Sequence, residues 1–182
     1  MSEKLVNDEI SAVYTKRLES MNKYKFTEKG DELFISTIVA EAEQLQDLHV
    51  KSTIGDLSIE CDAPKELGGS GEIPGPMKIL VASLANCMEI TGLIYFTLGG
   101  VQIRSLKVKI EATYDKRAVL ALKNAPLPGF YKYKTTWFVD SDESLKKIKQ
   151  VIEKVERNCP VRGSLENPNE FFEEIVLINK KV

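Results

Sequence analysis

The chain has 182 residues, of which 43% are hydrophobic and 29% charged, with a formal net charge of −2. This is enough apolar material for one domain with a real core, and it excludes a disordered, collagen-like or coiled-coil chain. The near-neutral balance argues against nucleic acid or an anionic membrane as a partner.

Met1–Ile10 carries no apolar run of the secretory kind, and three cysteines are too few for a disulfide framework. Reduced thiols in the cytoplasm are the expectation. From residue 4 to 24, Leu5, Val6, Ile10, Val13, Tyr14, Leu18 and Met21 recur at helical spacing, which predicts an N-terminal helix before Lys29-Gly30. Residues 1–30 are read as a helical extension and 31–182 as the main domain.

Leu33–Ala42 is rich in β-branched residues and predicts a strand. Leu45–Thr53 and Leu57–Cys61 follow as strands joined by a Gly55-Asp56 hairpin turn. Four glycines and three prolines between Asp62 and Pro76 mark a loop. A long helix is expected from Pro76 to Gly99-Gly100, with proline in its first turn and glycine after its last. Its Met77–Leu98 stretch has the length of a bilayer span, yet Asn86 and Glu89 sit at its centre, where an ionisable group is costly in lipid. It reads instead as a helix covered by protein all round.

Leu106–Tyr114 alternates apolar and polar residues and predicts a strand with one wet face. Phe130–Val139 is a second strand. Asp140 and Glu143 offer a cap for a helix whose stripe is Leu145, Ile148, Val151, Ile152 and Val155. That helix should stop at Asn158-Cys159-Pro160, because the residue before proline disfavours helical angles. Phe171–Ile178 closes the chain as a strand. Strands in runs favour an α+β class with antiparallel pairing. A helix apolar on every side is hard to cover with one thin sheet, so a homodimer around paired central helices is expected.

Among groups able to do chemistry, Cys87 lies mid-helix, where a free thiol often packs as a small hydrophobe. Cys159 sits where a helix meets proline, and Cys61 ends a strand. A thiol that attacks a peroxide needs a stabilised thiolate and a second thiol to resolve its sulfenic acid. Arg157 and Arg162 flank Cys159 and travel with it, and Glu72 lies in the loop before the long helix. His49 is the only histidine, and no clustered Cys/His spacing suggests a metal. Leu67–Gly71 matches neither dinucleotide nor P-loop spacing, so no cofactor is expected.

The run Pro64-Lys65-Glu66-Leu67-Gly68-Gly69, the proline-led helix start at Pro76 and the small-residue approach to Cys87 resemble the OsmC/Ohr superfamily. Asn158-Cys159-Pro160-Val161 is similar to that family's second-cysteine motif, and the resemblance covers about residues 33–178. It implies antiparallel sheets wrapped around long buried central helices in an intertwined homodimer. It also implies that Cys87 attacks an organic hydroperoxide or hydrogen peroxide, that Cys159 resolves the sulfenic acid, and that a dithiol reduces the resulting disulfide. Peroxidase members typically begin this helix with Asn-Pro-Glu, whose carboxylate holds an arginine beside the thiolate. Here the start is Gly75-Pro76-Met77-Lys78, and residues 33–61 hold no arginine. Lys78 lies roughly 13 Å along the helix from Cys87. The alternative is a non-peroxidatic relative that binds a small apolar or thiol-reactive ligand at the dimer interface.

Overall fold

The computed structural model describes residues 5–120 and 122–177. Helix α1 (Asp8–Tyr24) begins where the Asn7 side chain accepts the Ile10 N–H at 2.8 Å, with Asp8 and Glu9 at the positive end of the helix dipole. This is the helix expected over 4–24, residue 4 lying outside the described residues. Gly30 does not stop a helix but lies inside a second one, α2 (Glu28–Phe34), capped by Thr27. A side chain there could not fit, because a Cβ on Gly30 would lie 2.0 Å from the Tyr24 carbonyl oxygen.

The strand expected over Leu33–Ala42 is therefore displaced. Leu33 and Phe34 belong to α2, residues 35–40 form no ladder, and β1 spans Glu41–Gln46. The expected Leu45–Thr53 strand is broken by a turn at Asp47, which takes a left-handed φ of 49°. Aspartate tolerates that conformation better than most residues. β2 (His49–Ile54) and β3 (Leu57–Cys61) then pair through the Gly55-Asp56 turn, with Ile54 opposite Leu57. The three strands form an antiparallel sheet in the order β1-β2-β3, and only Cys61 within it is buried.

Helix α3 (Pro76–Leu98) runs as expected, with proline in its first turn and Gly99 beyond its end. It is long and apolar enough, by length and composition, to cross a membrane. Here it packs on β4 (Ser105–Tyr114), on α4 (Leu145–Asn158) and on a short helix α5 (Pro160–Glu166). β4 pairs antiparallel with β5 (Phe130–Asp140), from Ser105 opposite Asp140 to Tyr114 opposite Phe130. Leu106 and Val108 face inward while Lys107, Lys109 and Glu111 stay exposed, the alternation a half-wet strand requires.

The main core joins α3, β4 and α4 through Phe96, Val101, Leu106, Ile148, Val151 and Val155. Gly92 lets α3 approach the β4–β5 sheet; a Cβ there would lie 2.8 Å from Leu106 Cδ2. The α4 cap differs from expectation. Ser144 accepts the Lys147 N–H, while Asp140 ends β5 and is held by Arg104 at 2.6 Å. α4 stops at Asn158 as expected, and Pro160 then opens α5. Its missing N–H is harmless in a first turn, so one residue both ends a helix and begins the next.

Only one face of α3, formed by Leu84, Met88, Thr91, Gly92 and Phe96, is buried by its own chain, and Ile90 is 60% exposed. One further correction concerns the C-terminal segment. Phe171–Leu177 forms no strand, and Phe171, Phe172 and Ile175 are almost fully exposed; Ile178 lies outside the described residues. A strand needs a neighbour for its backbone groups, and none of the described residues offers one there.

Candidate functional site

The fold brings together two residues that the sequence keeps 72 positions apart. Cys87, in the middle of α3, and Cys159, between α4 and α5, meet in one apolar cluster with Leu84, Met88, Val108 and Val161. Trp137 also packs against this cluster, its indole N–H buried without an acceptor among the described residues. Both thiols are free, and they lie near enough in the cluster for Cys87 to bear on the ionisation of Cys159. Cys87 is half-buried, whereas Cys159 is only 2% exposed.

Burial pushes the Cys159 thiol above its ordinary pKa, and the neighbouring Cys87 adds to the rise. The backbone N–H groups of Arg162 and Val161 lie close enough to favour its thiolate, though neither closes a capping hydrogen bond. Cys159 is thus a protonated thiol held against its neighbour. For such a thiol to resolve a sulfenic acid its proton must come off as the sulfur attacks and leave with the hydroxyl as water.

Beside this pair stands Arg162, in the first turn of α5. Its guanidinium meets Glu166 at 2.8 Å and Glu156 at 3.3 Å. Burial works against its charge, but the two carboxylates outweigh burial and hold its pKa above the ordinary arginine value. With Leu84, Met88, Tyr133 and Thr135 these residues line a cleft of about 330 Å³ that borders the cluster. Arg157 is exposed on the last turn of α4.

Other residues singled out from the sequence lie elsewhere. Cys61 is buried at the end of β3, opposite Val50, and is not part of the thiol cluster. His49 pairs with Glu60 at 3.0 Å and, with Glu72, lines a separate cleft of about 320 Å³ that includes neither thiol. Lys78 acts on Glu66, which Lys116 holds in an ion pair. Among the described residues no group of three or more His, Cys, Asp or Glu side chains could hold a metal ion.

One residue that organises the approach to α3 escaped the sequence reading. Asp62, 5% exposed, accepts the Ala63 N–H at 2.7 Å and the Ser70 N–H at 2.6 Å. Those bonds to Ser70, assisted by Ala63, hold its carboxyl below the usual range. They close the Pro64–Gly69 loop into a ring. Gly69 is required inside it, since a Cβ would lie 1.7 Å from the Ala63 carbonyl oxygen. The ring sets the point from which the chain enters α3. An aspartate eight residues before a serine, in a glycine-rich loop, is the only trace of this in sequence.

A family model described as OsmC-like protein matches residues 69–173, a span that includes both thiols and every element from α3 to α5. The chain belongs to the OsmC-like family. Its fold is similar to an OsmC-like protein from Mycoplasma pneumoniae, at 20% identity and a TM-score of 0.59, covering 72% of this chain and 88% of that one. It is also similar to an organic hydroperoxide resistance protein OsmC from Legionella pneumophila, at 21% identity and a TM-score of 0.53, covering 72% and 90%. A third is a putative organic hydroperoxide resistance protein from Vibrio cholerae with captopril bound in one of its active sites, at 18% identity and a TM-score of 0.52, covering 73% and 88%. No curated protein sequence matches significantly. The α+β class and the OsmC-like architecture expected from the sequence are those found.

Proposed function

We propose that this OsmC-like protein is a thiol-dependent peroxidase acting on organic hydroperoxides or hydrogen peroxide. The observation that carries the reading is the meeting of Cys87 and Cys159 in one apolar cluster. The half-buried Cys87 attacks the O–O bond as its thiolate, becomes a sulfenic acid and releases the alcohol or water. Cys159 then attacks that sulfur; the S–O bond breaks, water leaves and a disulfide forms. A dithiol reductant exchanges with the disulfide and returns both thiols. No cofactor enters this cycle, and the reading is of a cytoplasmic protein of the oxidative stress response, the compartment that suits a thiol cycle run by a dithiol reductant.

The working unit is a homodimer. The uncovered face of α3, the β1–β3 arm and the apolar tail from Phe171 each leave large side chains in water. A second copy that wraps its sheet around a pair of α3 helices would bury them in an intertwined assembly. We take the helical segment before β1 as an extension to the OsmC-like domain; the boundary expected between residues 30 and 31 falls inside α2, so the extension reaches at least to Phe34.

The test is turnover. Purified protein given cumene hydroperoxide and dihydrolipoamide should consume peroxide catalytically, and Cys87→Ser should not. Wild-type consumption no faster than that variant would favour the other reading, a non-peroxidatic member in which Cys87 binds or senses a small apolar or thiol-reactive ligand. Met77 and Lys78 at the helix start, where peroxidase members carry a carboxylate, are the observation on that side.

A further inference from the structure

We propose that Arg162 is a positioning residue for disulfide closure: it braces the corner between α4 and α5 so that the Cys159 sulfur stays in line with Cys87. The inference rests on the peroxidase reading above and assigns one of its steps to a side chain.

α4 ends at Asn158 and α5 starts at Pro160, so Cys159 alone joins two helices, in an extended conformation with φ −73° and ψ 116°. With a one-residue joint, the angle between the helices decides where the sulfur points. Arg162 spans that joint. Its Nη1 reaches back to Glu156 on α4 at 3.3 Å, and its Nε holds Glu166 on α5 at 2.8 Å. Glu156 precedes Cys159 by three residues and Arg162 follows it by three, so the bridge closes a ring around the cysteine. A planar guanidinium can engage two carboxylates in fixed directions, which a lysine ammonium cannot.

The arm to Glu156 is not a freely solvated surface pair, although Glu166 at the other end is 57% exposed. The Arg162 side chain is 29% exposed and that of Glu156 35%. They line the cleft with Leu84 and Met88, two of the residues that bury Cys159. The step served is the attack of the Cys159 sulfur on the Cys87 sulfenic acid, in which the S–S bond forms, the S–O bond breaks and the Cys159 proton leaves with the hydroxyl as water. An in-line displacement of this kind is sensitive to position, and a misplacement of about 1 Å can cost on the order of a hundredfold in rate.

The experiment separates formation of the sulfenic acid from its resolution. Wild type, Arg162→Gln, Arg162→Lys and Glu156→Gln each receive one equivalent of cumene hydroperoxide. Samples are quenched over time with dimedone, which traps sulfenic acid, and read by intact mass. Arg162→Gln and Glu156→Gln should form sulfenic acid at the wild-type rate but close the disulfide roughly tenfold or more slowly, with the dimedone adduct accumulating meanwhile. Arg162→Lys should recover part of the loss. Closure within about twofold of wild type in both glutamine variants overturns the proposal, as does an equal slowing of both steps, which would mark a merely structural role. Should Arg162→Gln fail to fold by circular dichroism, Glu156→Gln, which removes only the arm across the corner, decides alone. A wild-type protein that yields neither sulfenic acid nor disulfide overturns the peroxidase reading, and this inference with it; that failure shows in the wild-type trace.

Discussion

Cys159 is where a single side chain's environment has the clearest consequence. Its thiol is pushed up chiefly by burial, and an ordinary cysteine titrates near about 8.5. A group whose folded pKa is raised contributes stability below its unfolded pKa and loses it as pH rises through the folded value. Urea melts of wild type and Cys159→Ser should therefore differ most at neutral pH, and the gap should narrow through the alkaline range. A gap that widens with pH would show that Cys159 ionises more easily in the fold than out of it. Asp62 has the opposite sign. Its lowered carboxyl adds stability above the ordinary carboxylate pKa and loses it as pH falls. Asp62→Asn should speed amide exchange at Ala63 and Ser70, the two N–H groups that the carboxylate holds; unchanged protection there would remove its role as loop organiser. The two cysteines could be read from the sequence because each carries its motif beside it. Asp62 could not, and Arg162 was legible only as a neighbour of Cys159, since their meaning lies in partners the chain supplies only once folded. The Arg162–Glu166 pair has ordinary helical spacing, but Pro160 read as the end of a helix hid the helix it begins.

Among the elements, those written in local periodicity were visible in advance. α3, β3, β4, β5 and the α4 stripe lie where apolar spacing and turn residues put them. The misplaced boundaries are those decided by competition between local signals. Thr27 caps a short helix and takes Leu33 and Phe34 from the expected strand, while Asp47 breaks a run of strand formers with a left-handed turn. At α4 two acidic residues resembled a cap, but Arg104 binds Asp140 and Ser144 does the capping. Ser144→Ala should therefore cost about 0.5–1 kcal/mol in a urea melt, at the low end for a cap because its bond is long at 3.4 Å. A neutral result would return the cap to other groups. The packing of α3 gives a larger expectation. Met88 is fully buried between the thiols and β4, so Met88→Ala should cost about 2–5 kcal/mol. A cost under about 1 kcal/mol would mean that the cluster can collapse around the missing side chain.

At the scale of the whole molecule, one chain leaves its fold half covered. α3 is apolar almost all round yet buries one face, and the β1–β3 arm buries only Cys61. The sequence showed the helix needed cover on every side but not where the cover would come from, since a partner's surface leaves no mark in the spacing of this chain. Light scattering on the purified protein should give twice the chain mass. Ile90→Lys, on the uncovered face of α3, should shift that value toward one chain while preserving helix content. A monodisperse monomer in the wild type would contradict the intertwined assembly.

The claim on which the functional account depends is that Cys87 and Cys159 form a redox pair. Intact mass after one equivalent of hydroperoxide tests it most directly. Wild type should lose two hydrogens, reversibly with a dithiol, and Cys159→Ser should lose none and instead gain one oxygen on Cys87. A wild-type mass unchanged by peroxide, or a disulfide that peptide mapping places through Cys61, would contradict it.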